Sequence, residues 1–370
     1  YKERISCFKK NPNFKILLLP VIYYLLLAIS LIYSQNLEEG LFTLEKKLTL
    51  LILPLFVGTE TNFFKDITSK GLGTKLVNAF ILGVLIIVIL NYGYAFYRYL
   101  NGSGTEAFYR NFLARWNHPS YVSMYASLAL MILLHRLLFL KDEIFINKYF
   151  QVFIILVLVV YLFMLSQRGP LLSWMMLLPI YAAYILINKK ETRLAIVFTI
   201  ICILVVLFSY QFIGLVKNRV DNTLEQVNNE FEQKKAPLTN RIVIWKVSLE
   251  TIKNEMLLGY GVGDVKDALN PVYLERKRLD AVEHNLNAHN QYLQTCIEIG
   301  ILGLLYFVLM LLLITKFAWQ NNKLILLIFL FLFVANILFE VMLDRASGVI
   351  GFAYLFSVLT IRTKNVGAVN

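Results

Sequence analysis

Charged residues are scarce in this chain of 370 residues. Asp, Glu, Lys and Arg make up 16 % of it, whereas an average soluble domain contains about a quarter. Hydrophobic residues make up 58 %, and the mean hydropathy is +0.63. A water-soluble fold cannot bury so large an apolar share, so the composition predicts an integral membrane protein.

Cysteine, glycine and proline are also few, with 3, 18 and 8 residues. These counts exclude the disulfide-scaffold, collagen-like and disordered classes. Cys7, Cys202 and Cys296 show no spacing typical of a disulfide or a metal site. Because the chain begins with Tyr1 and not with Met, we expect that residues, and with them a further span, precede it.

Long hydrophobic runs are abundant instead. A helix that crosses a bilayer needs about 20 mostly apolar residues, and ten segments come close to this length. They are residues 14–34, 41–57, 74–97, 119–139, 150–166, 170–187, 194–213, 292–315, 324–343 and 347–361. The sequence therefore predicts an all-α transmembrane bundle, with seven spans in residues 1–213, a long loop in 214–290 and three spans in 291–370.

The net charge of +12 first suggests a nucleic-acid partner. If the N-terminus is cytoplasmic and the spans alternate, the cytoplasmic loops hold 18 of the 36 basic residues but only 6 of the 24 acidic ones. The rest of the chain is then neutral, and the whole excess follows the positive-inside rule. We therefore exclude nucleic acid as a partner and place the loop 214–290 in the periplasm.

This long loop is expected to form amphipathic helices on the membrane surface or above a cavity between spans. One helix covers residues 216–232. The next would be capped by Thr239 or Asn240 and end at Gly259. Its apolar stripe comprises Ile242, Trp245, Leu249, Ile252 and Met256.

Residues 259–264 form a glycine cluster that superficially resembles a phosphate loop. The cluster follows a helix and not a strand, and no Lys-Ser or Lys-Thr pair comes after it. A tight re-entrant turn is therefore favoured over nucleotide binding.

Basic residues at the outer ends of spans are candidates for binding an anion. Arg168 lies in a very short turn between two spans, and Arg241 begins the second amphipathic helix. Arginine presents a planar fork of donors that suits phosphate oxygens, so these residues suggest a diphosphate or lipid head group. Arg345, near Glu340 and Asp344, and Lys46 are further candidates, whereas Lys47 is expected only to snorkel or to pair with lipid phosphates.

His289 is the histidine best placed for chemistry. If Asn287 caps the helix that continues into the membrane, His289 lies in its first turn, where the helix dipole favours the neutral imidazole that a general base needs. A core or capping role is the alternative. His118 is equally compatible with capping and with function, His135 is expected at the cytoplasmic interface and His284 in solvent.

Signs of other chemistry are missing. No zinc-ligand spacing and no Asp-x-Asp cluster occurs on the outer side, so a catalytic metal is not expected. Charges within spans, which are typical of ion-coupled transporters, are rare, and Glu298 is the exception.

These motifs together resemble the O-antigen ligase and polymerase superfamily of bacterial membrane glycosyltransferases. The resemblance covers essentially the whole chain. Its most specific part is the Gly-x-Gly-x-Gly motif at 259–263 followed by Ala-His-Asn-Gln-Tyr-Leu at 288–293, directly before a span. The other motifs are Glu-Lys-Lys-Leu at 45–48, His-Pro-Ser-Tyr at 118–121, Ser-Gln-Arg-Gly at 166–169, Asn-Arg at 240–241 with Trp245, and Glu-Ile-Gly at 298–300.

The resemblance implies a glycan donor on undecaprenyl diphosphate, used at the periplasmic face of the inner membrane without a cofactor, nucleotide sugar or metal. By position, Arg168 and Arg241 match the arginines that hold the diphosphate, and His289 matches the histidine that acts on the acceptor hydroxyl. Members commonly have about twelve spans. We further predict a substrate-binding set made up of Lys46, Arg115, His118, Tyr260, Asn290, Tyr292 and Arg345.

The first functional hypothesis is an inverting O-antigen ligase that acts on lipid A-core. Inversion is expected because one base and no carboxylate nucleophile argue for single displacement. The alternatives are an O-antigen polymerase, a protein O-oligosaccharyltransferase and, from another class, a polyprenyl-lipid transporter or flippase. The transporter would use the arginines but would not need His289.

Overall fold

The computed structural model describes residues 13–59, 72–140, 147–200 and 241–361. All regular secondary structure in these ranges is helical, which confirms the predicted all-α class. The helices are α1 Phe14–Ser30, α2 Leu37–Lys47, α3 Thr49–Thr59, α4 Leu72–Arg98, α5 Arg110–Leu113, α6 Pro119–Phe139, α7 Lys148–Leu165, α8 Arg168–Lys189, α9 Arg241–Asn254, α10 Val265–Glu275, α11 Leu279–Glu283, α12 Gln291–Gln320, α13 Leu324–Asn336 and α14 Ala346–Ile361. The helix predicted at 216–232, the cap at Thr239 or Asn240, and most of the span predicted at 194–213 lie outside the described residues.

Five of the described helices are long and apolar enough to cross a membrane: Gly73–Ser103, Pro119–Phe139, Lys148–Leu165, Arg168–Asn188 and Gln291–Gln320. Three shorter apolar helices, α1, α13 and α14, coincide with three further predicted spans. Multiple apolar helices of this kind are typical of a multi-pass membrane protein.

The span predicted at 41–57 is divided into α2 and α3, which meet at Leu48. The Asn36 side chain caps α2 by accepting the Glu39 N–H, so the helix begins earlier than predicted and contains acidic residues. Only α3 is apolar throughout. A single long span is therefore wrong for this segment, because half of it is a polar helix.

The chain divides into two compact units. Unit 1 comprises Tyr1–Phe80, Leu238–Leu330 and Ile337–Asn370, and unit 2 comprises Ile81–Pro237 and Phe331–Asn336. In unit 1, α1 packs against α3 and α12, α14 packs against α3, and α9 packs against α10 and α12. In unit 2, α6 packs against both α7 and α8, and most of its side chains are buried.

The glycine cluster forms a turn that bonds to a break in α12. Ile299 and Gly300 have non-helical backbone angles, with φ +67° at Gly300. The Tyr260 N–H donates to Ile297 O at 2.8 Å and the Gly261 N–H to Glu298 O at 3.0 Å, so the turn satisfies carbonyls that the break leaves without helical partners. The predicted tight turn is confirmed.

Helix α9 buries only part of its apolar stripe, together with residues outside the stripe. Ile242, Leu249 and Met256 of the apolar stripe are 44 %, 51 % and 58 % exposed, whereas Ser248 and Thr251 are fully buried. The two hydroxyls donate to carbonyls of their own helix, at 2.9 and 3.0 Å, and so need no water. Both residues share the buried face with Ile244, Val247 and Ile252, whereas Ile242 and Leu249 stay outside, which suits contact with lipid.

His135 of unit 2 is fully buried within the protein. Its Nδ1 lies 2.7 Å from the Tyr181 hydroxyl, which gives the imidazole a polar partner inside the unit. A histidine satisfied in this way can be buried within a helical bundle.

Candidate active site

The segment before α12 positions His289. The Asn290 side chain accepts the N–H groups of Tyr292 and Leu293 at 2.9 and 3.2 Å, so Asn290 caps the helix. The prediction that Asn287 is the cap is wrong, and His289 lies just outside the helix and not in its first turn. The Asn287 Oδ1 accepts the His289 N–H instead, at 3.1 Å. Both asparagines bond to the amide two residues on, as Asn does in turns and at helix starts.

His289 has a left-handed backbone, with φ +45°. This conformation costs a non-glycine residue about 1–2 kcal/mol, and such residues cluster at functional sites. The turn is held from outside as well, because the Asn287 Nδ2 donates to Asp344 Oδ2 at 3.3 Å. Asn287 thus ties the histidine backbone to the segment between α13 and α14.

Glu340, in that same segment, lies between Arg241 and His289. The Arg241 Nη2 donates to Glu340 Oε1 at 2.7 Å. The His289 Nδ1 lies 3.6 Å from Glu340 Oε2, which is just beyond hydrogen-bond distance. The structure therefore brings together two of the residues predicted to be catalytic, on the two oxygens of one carboxylate.

Aromatic rings support the arginine. The Arg241 guanidinium carbon lies 5.7 Å from the centroid of the Phe339 ring, and the Trp245 ring lies 6.2 Å from that ring. A guanidinium stacked on an aromatic face keeps its edges available for hydrogen bonds. The Arg241 side chain is 33 % exposed and the Glu340 side chain 11 % exposed.

The first turns of α12 fix the surrounding backbone. The Gln291 Oε1 accepts the Leu343 N–H at 2.8 Å, and the Gln291 N–H donates to Ile337 O at 2.9 Å. The Gln294 Oε1 accepts the Ala288 N–H at 3.4 Å. Backbone positions on both sides of Glu340 and next to His289 are therefore anchored on one helix.

A buried ion pair lies one turn further along α12. The Lys47 Nζ donates to Glu298 Oε1 at 2.7 Å, and the two side chains are 0 % and 1 % exposed. The expectation that Lys47 snorkels is wrong, because the Glu298 carboxylate compensates its charge inside the protein. The Gln294 Nε2 also donates to Glu298 Oε1, at 3.2 Å, so the pair is linked to the backbone beside His289.

The other unit 1 residues of the predicted substrate-binding set are spread over several elements. The Lys46 Nζ is 4.5 Å from the centroid of the Phe42 ring, and Arg345 is exposed at the start of α14. Asn290 and Tyr292 belong to the start of α12. The Tyr260 hydroxyl donates to Thr251 O at 3.2 Å, and partial burial raises the pKa of Tyr260 above its usual value. Its phenol therefore acts as a hydrogen-bond donor and not as a base.

Arg115, His118 and Arg168 belong to unit 2. Arg168 is the first residue of α8 and follows α7 after only two residues, as the short predicted turn requires. His118 precedes α6 without capping it through its side chain. The Arg115 guanidinium carbon lies 5.5 Å from the centroid of the Tyr94 ring.

Glu340 is the site residue that the sequence did not single out for chemistry. The sequence gives only a weak indication of a catalytic role for Glu340. A carboxylate in a short connection between apolar helices could equally well serve to pair with the nearby Arg345. Among the described residues, no group of three His, Cys, Asp or Glu side chains gathers in a way that could hold a metal ion.

Long apolar helices, a strained histidine and an arginine on a shared carboxylate define a multi-pass membrane protein with a polar site. The family model described as O-antigen ligase matches residues 152–308. The match confirms the resemblance over this range, and the family implies an enzyme of the ligase or polymerase type that uses lipid-linked glycans. The matched range contains Arg168, Arg241 and His289 but ends before Glu340. No curated protein matches the chain.

Proposed function

We propose that this protein transfers a glycan from undecaprenyl diphosphate to an acceptor hydroxyl at the periplasmic face of the bacterial inner membrane. The first candidate acceptor is lipid A-core, which would make the protein an O-antigen ligase. The observation that carries the proposal is the cluster of Arg241, Glu340 and His289, because it combines a cation suited to a diphosphate with a histidine suited to proton transfer.

In this proposal the acceptor oxygen attacks the anomeric carbon of the donor sugar while the bond from that carbon to the diphosphate oxygen breaks. His289 takes the hydroxyl proton. The leaving diphosphate gains one negative charge, which Arg241 stabilises through charge-assisted hydrogen bonds. The family resemblance assigns the same task to Arg168. One displacement without a covalent intermediate inverts the anomeric configuration.

The environment of His289 supports its role as the base. Its Nδ1 is buried and faces Glu340, while the side chain as a whole is 31 % exposed. If the carboxylate accepts the Nδ1 proton, Nε2 is left as the basic nitrogen on the exposed part of the ring. This is the division of labour that a carboxylate and a histidine show in hydrolytic triads.

The proposed domain organisation is a bundle of spans at 1–213 and 291–370 that carries a periplasmic loop at 214–290. The described helices α9, α10 and α11 lie within this loop. The packing of α9 and α10 against α12, and the exposed apolar side of α9, suit a layer at the membrane surface.

The test is an assay with purified protein in detergent, an undecaprenyl-diphosphate-linked glycan and an acceptor. We expect glycosylated acceptor and free undecaprenyl diphosphate to appear together, with equal yield in the presence of EDTA. A transporter or flippase would give neither product, and a loss of activity in EDTA would contradict the metal-independent mechanism.

Ligase and polymerase are separated by the surface polysaccharide of a deletion strain. A strain without a ligase accumulates long lipid-linked chains that do not reach lipid A-core. A strain without a polymerase carries a single repeat on lipid A-core, and that result would replace the first candidate by the second. A protein O-oligosaccharyltransferase would instead leave the polysaccharide unchanged and remove glycan from proteins.

A further inference from the structure

Glu340 offers one carboxylate to two residues of the proposed active site. Its Oε1 is 2.7 Å from Arg241 Nη2, a full ion pair, whereas its Oε2 is 3.6 Å from His289 Nδ1. A normal hydrogen bond to the histidine needs about 2.9 Å, so the carboxylate would have to approach by about 0.7 Å. In the structure the arginine therefore holds the carboxylate, and the histidine does not.

A diphosphate at Arg241 would change this balance. The donor brings at least one negative charge on each phosphate towards the arginine, and like charges in a partly buried site repel each other strongly. Glu340 is largely buried, so water screens its carboxylate only weakly. The donor and Glu340 would thus compete for the same guanidinium.

The backbone on both sides of Glu340 is held by hydrogen bonds, so Glu340 would respond to a bound diphosphate by moving its side chain. Gln291 bonds to Ile337 O on one side of Glu340 and to the Leu343 N–H on the other. His289 is only two residues before Gln291, and its own N–H is fixed by Asn287. Both ends of the carboxylate–histidine contact are therefore tied to the start of α12, so the 3.6 Å gap would close through movement of the Glu340 side chain.

We propose that Glu340 is a positioning residue that changes partner when the donor binds, from Arg241 to His289. The donor diphosphate takes the place of the carboxylate on Arg241, and the released carboxylate accepts the Nδ1 proton of His289 and orients the ring. The base is then complete only when the donor is present. This inference rests on the proposed transferase function and adds an order to it, with the donor before the acceptor.

The test uses Glu340→Gln in the full chain, with two measurements. The first is equilibrium binding of undecaprenyl diphosphate alone, and the second is kcat with donor and acceptor. Because the competing charge is gone, binding should tighten about two- to fivefold, the range that a partly exposed ion pair is worth. Because the histidine has lost its carboxylate, kcat should fall by about tenfold or more.

The matched control is Glu250→Gln, which removes an exposed carboxylate paired with Arg276 at 2.6 Å in the same unit. Neither binding nor kcat should change in this variant. Glu340→Ala is the second test variant, with the same two expected changes. In the double variant His289→Ala with Glu340→Gln, kcat should be no lower than in His289→Ala alone, since Glu340 acts through the histidine.

Weaker or unchanged binding in Glu340→Gln would overturn the exchange, because Glu340 would then only orient Arg241 or do nothing for the donor. An unchanged kcat would overturn it as well. Failure of the proposed function is a separate result: wild-type protein would not bind undecaprenyl diphosphate, or would bind it equally well after Arg241→Ala.

Discussion

Among the described residues, Lys47 and Glu298 form a fully buried ion pair that is linked to the proposed site. Both charges have left water, so each one depends on the other for compensation. Through Gln294 the pair also supports the backbone at Ala288, next to His289. The ion pair therefore contributes both to the stability of the protein and to the position of His289.

Replacement of Lys47 by Met should destabilise the protein by about 3–5 kcal/mol, because it leaves the Glu298 carboxylate buried without its cation. The measurement is the thermal unfolding midpoint in detergent. Lys266→Met is the control: Lys266 pairs with Glu39 at 2.8 Å, but both side chains are substantially exposed, so the loss should stay below about 1 kcal/mol. Equal shifts in the two variants would contradict the account.

Single residues were only partly predictable from the sequence. The sequence alone identifies Arg241 and His289 by their types and places, but it does not decide between Asn287 and Asn290 as the helix cap, since either side chain could reach an amide two residues on. The role of Glu340 comes from its contacts with Arg241 and His289, which lie 99 and about 51 positions earlier in the chain. No local sequence pattern predicts contacts between residues so far apart.

At the scale of elements, the break in α12 is the feature that a hydropathy pattern hides. Residues 291–320 are apolar enough to read as one continuous span, yet Gly300 interrupts the helix. The turn at 259–261 bonds to the freed carbonyls, so the segment between α9 and α10 is joined to α12 through main-chain hydrogen bonds. Irregular backbone within an apolar helix is stable only where other protein groups satisfy its hydrogen bonds.

Replacement of Gly300 by Ala should destabilise the protein by about 2 kcal/mol or more. With φ +67° and ψ −171°, Gly300 lies in a backbone region that essentially only glycine adopts, which costs another residue about 1–3 kcal/mol, and the new Cβ would collide with the Leu257 carbonyl. Gly83→Ala in α4 is the control, since nothing lies within 4 Å of the Cβ it would add, and it should be neutral or stabilising by up to about 1 kcal/mol. Thermal unfolding of both variants checks this, and a neutral Gly300→Ala would contradict the strained turn.

Helix α9 shows that an amphipathic sequence pattern predicts only in part which face of a helix is buried. The rule that apolar stripes point inward holds in water, where burial of apolar surface is the driving force. In contact with lipid this force is absent between helices, and small or hydroxyl-bearing faces pack best. Ser248 and Thr251 are buried beside Ile244 and Val247, although a rule for soluble proteins would place their hydroxyls outside.

For the whole molecule, composition and hydropathy were enough to predict the class. Eight of the ten predicted spans coincide with apolar helices, because length and apolar content are local properties that any segment reveals by itself. The division into two units, each made of segments distant in sequence, was not predictable, since it arises from packing between helices.

The net charge makes a separate prediction about orientation. In a variant without Cys7, Cys202 and Cys296, a cysteine at Glu275 should react with a membrane-impermeant maleimide in spheroplasts. A cysteine at Asn321 should react only after the membrane is permeabilised. Both positions are exposed, so access to the reagent depends on the side of the membrane. The reverse pattern would show that the excess of Lys and Arg does not set the topology.

The most direct test of the central claim is single-turnover glycan transfer by His289→Ala, compared with wild-type protein and with His284→Ala. His284 is an exposed histidine five residues before His289, so its loss should leave the rate unchanged. Without its general base, His289→Ala should transfer about 10²- to 10⁴-fold more slowly while it still binds undecaprenyl diphosphate. Full transfer activity in His289→Ala would contradict the account.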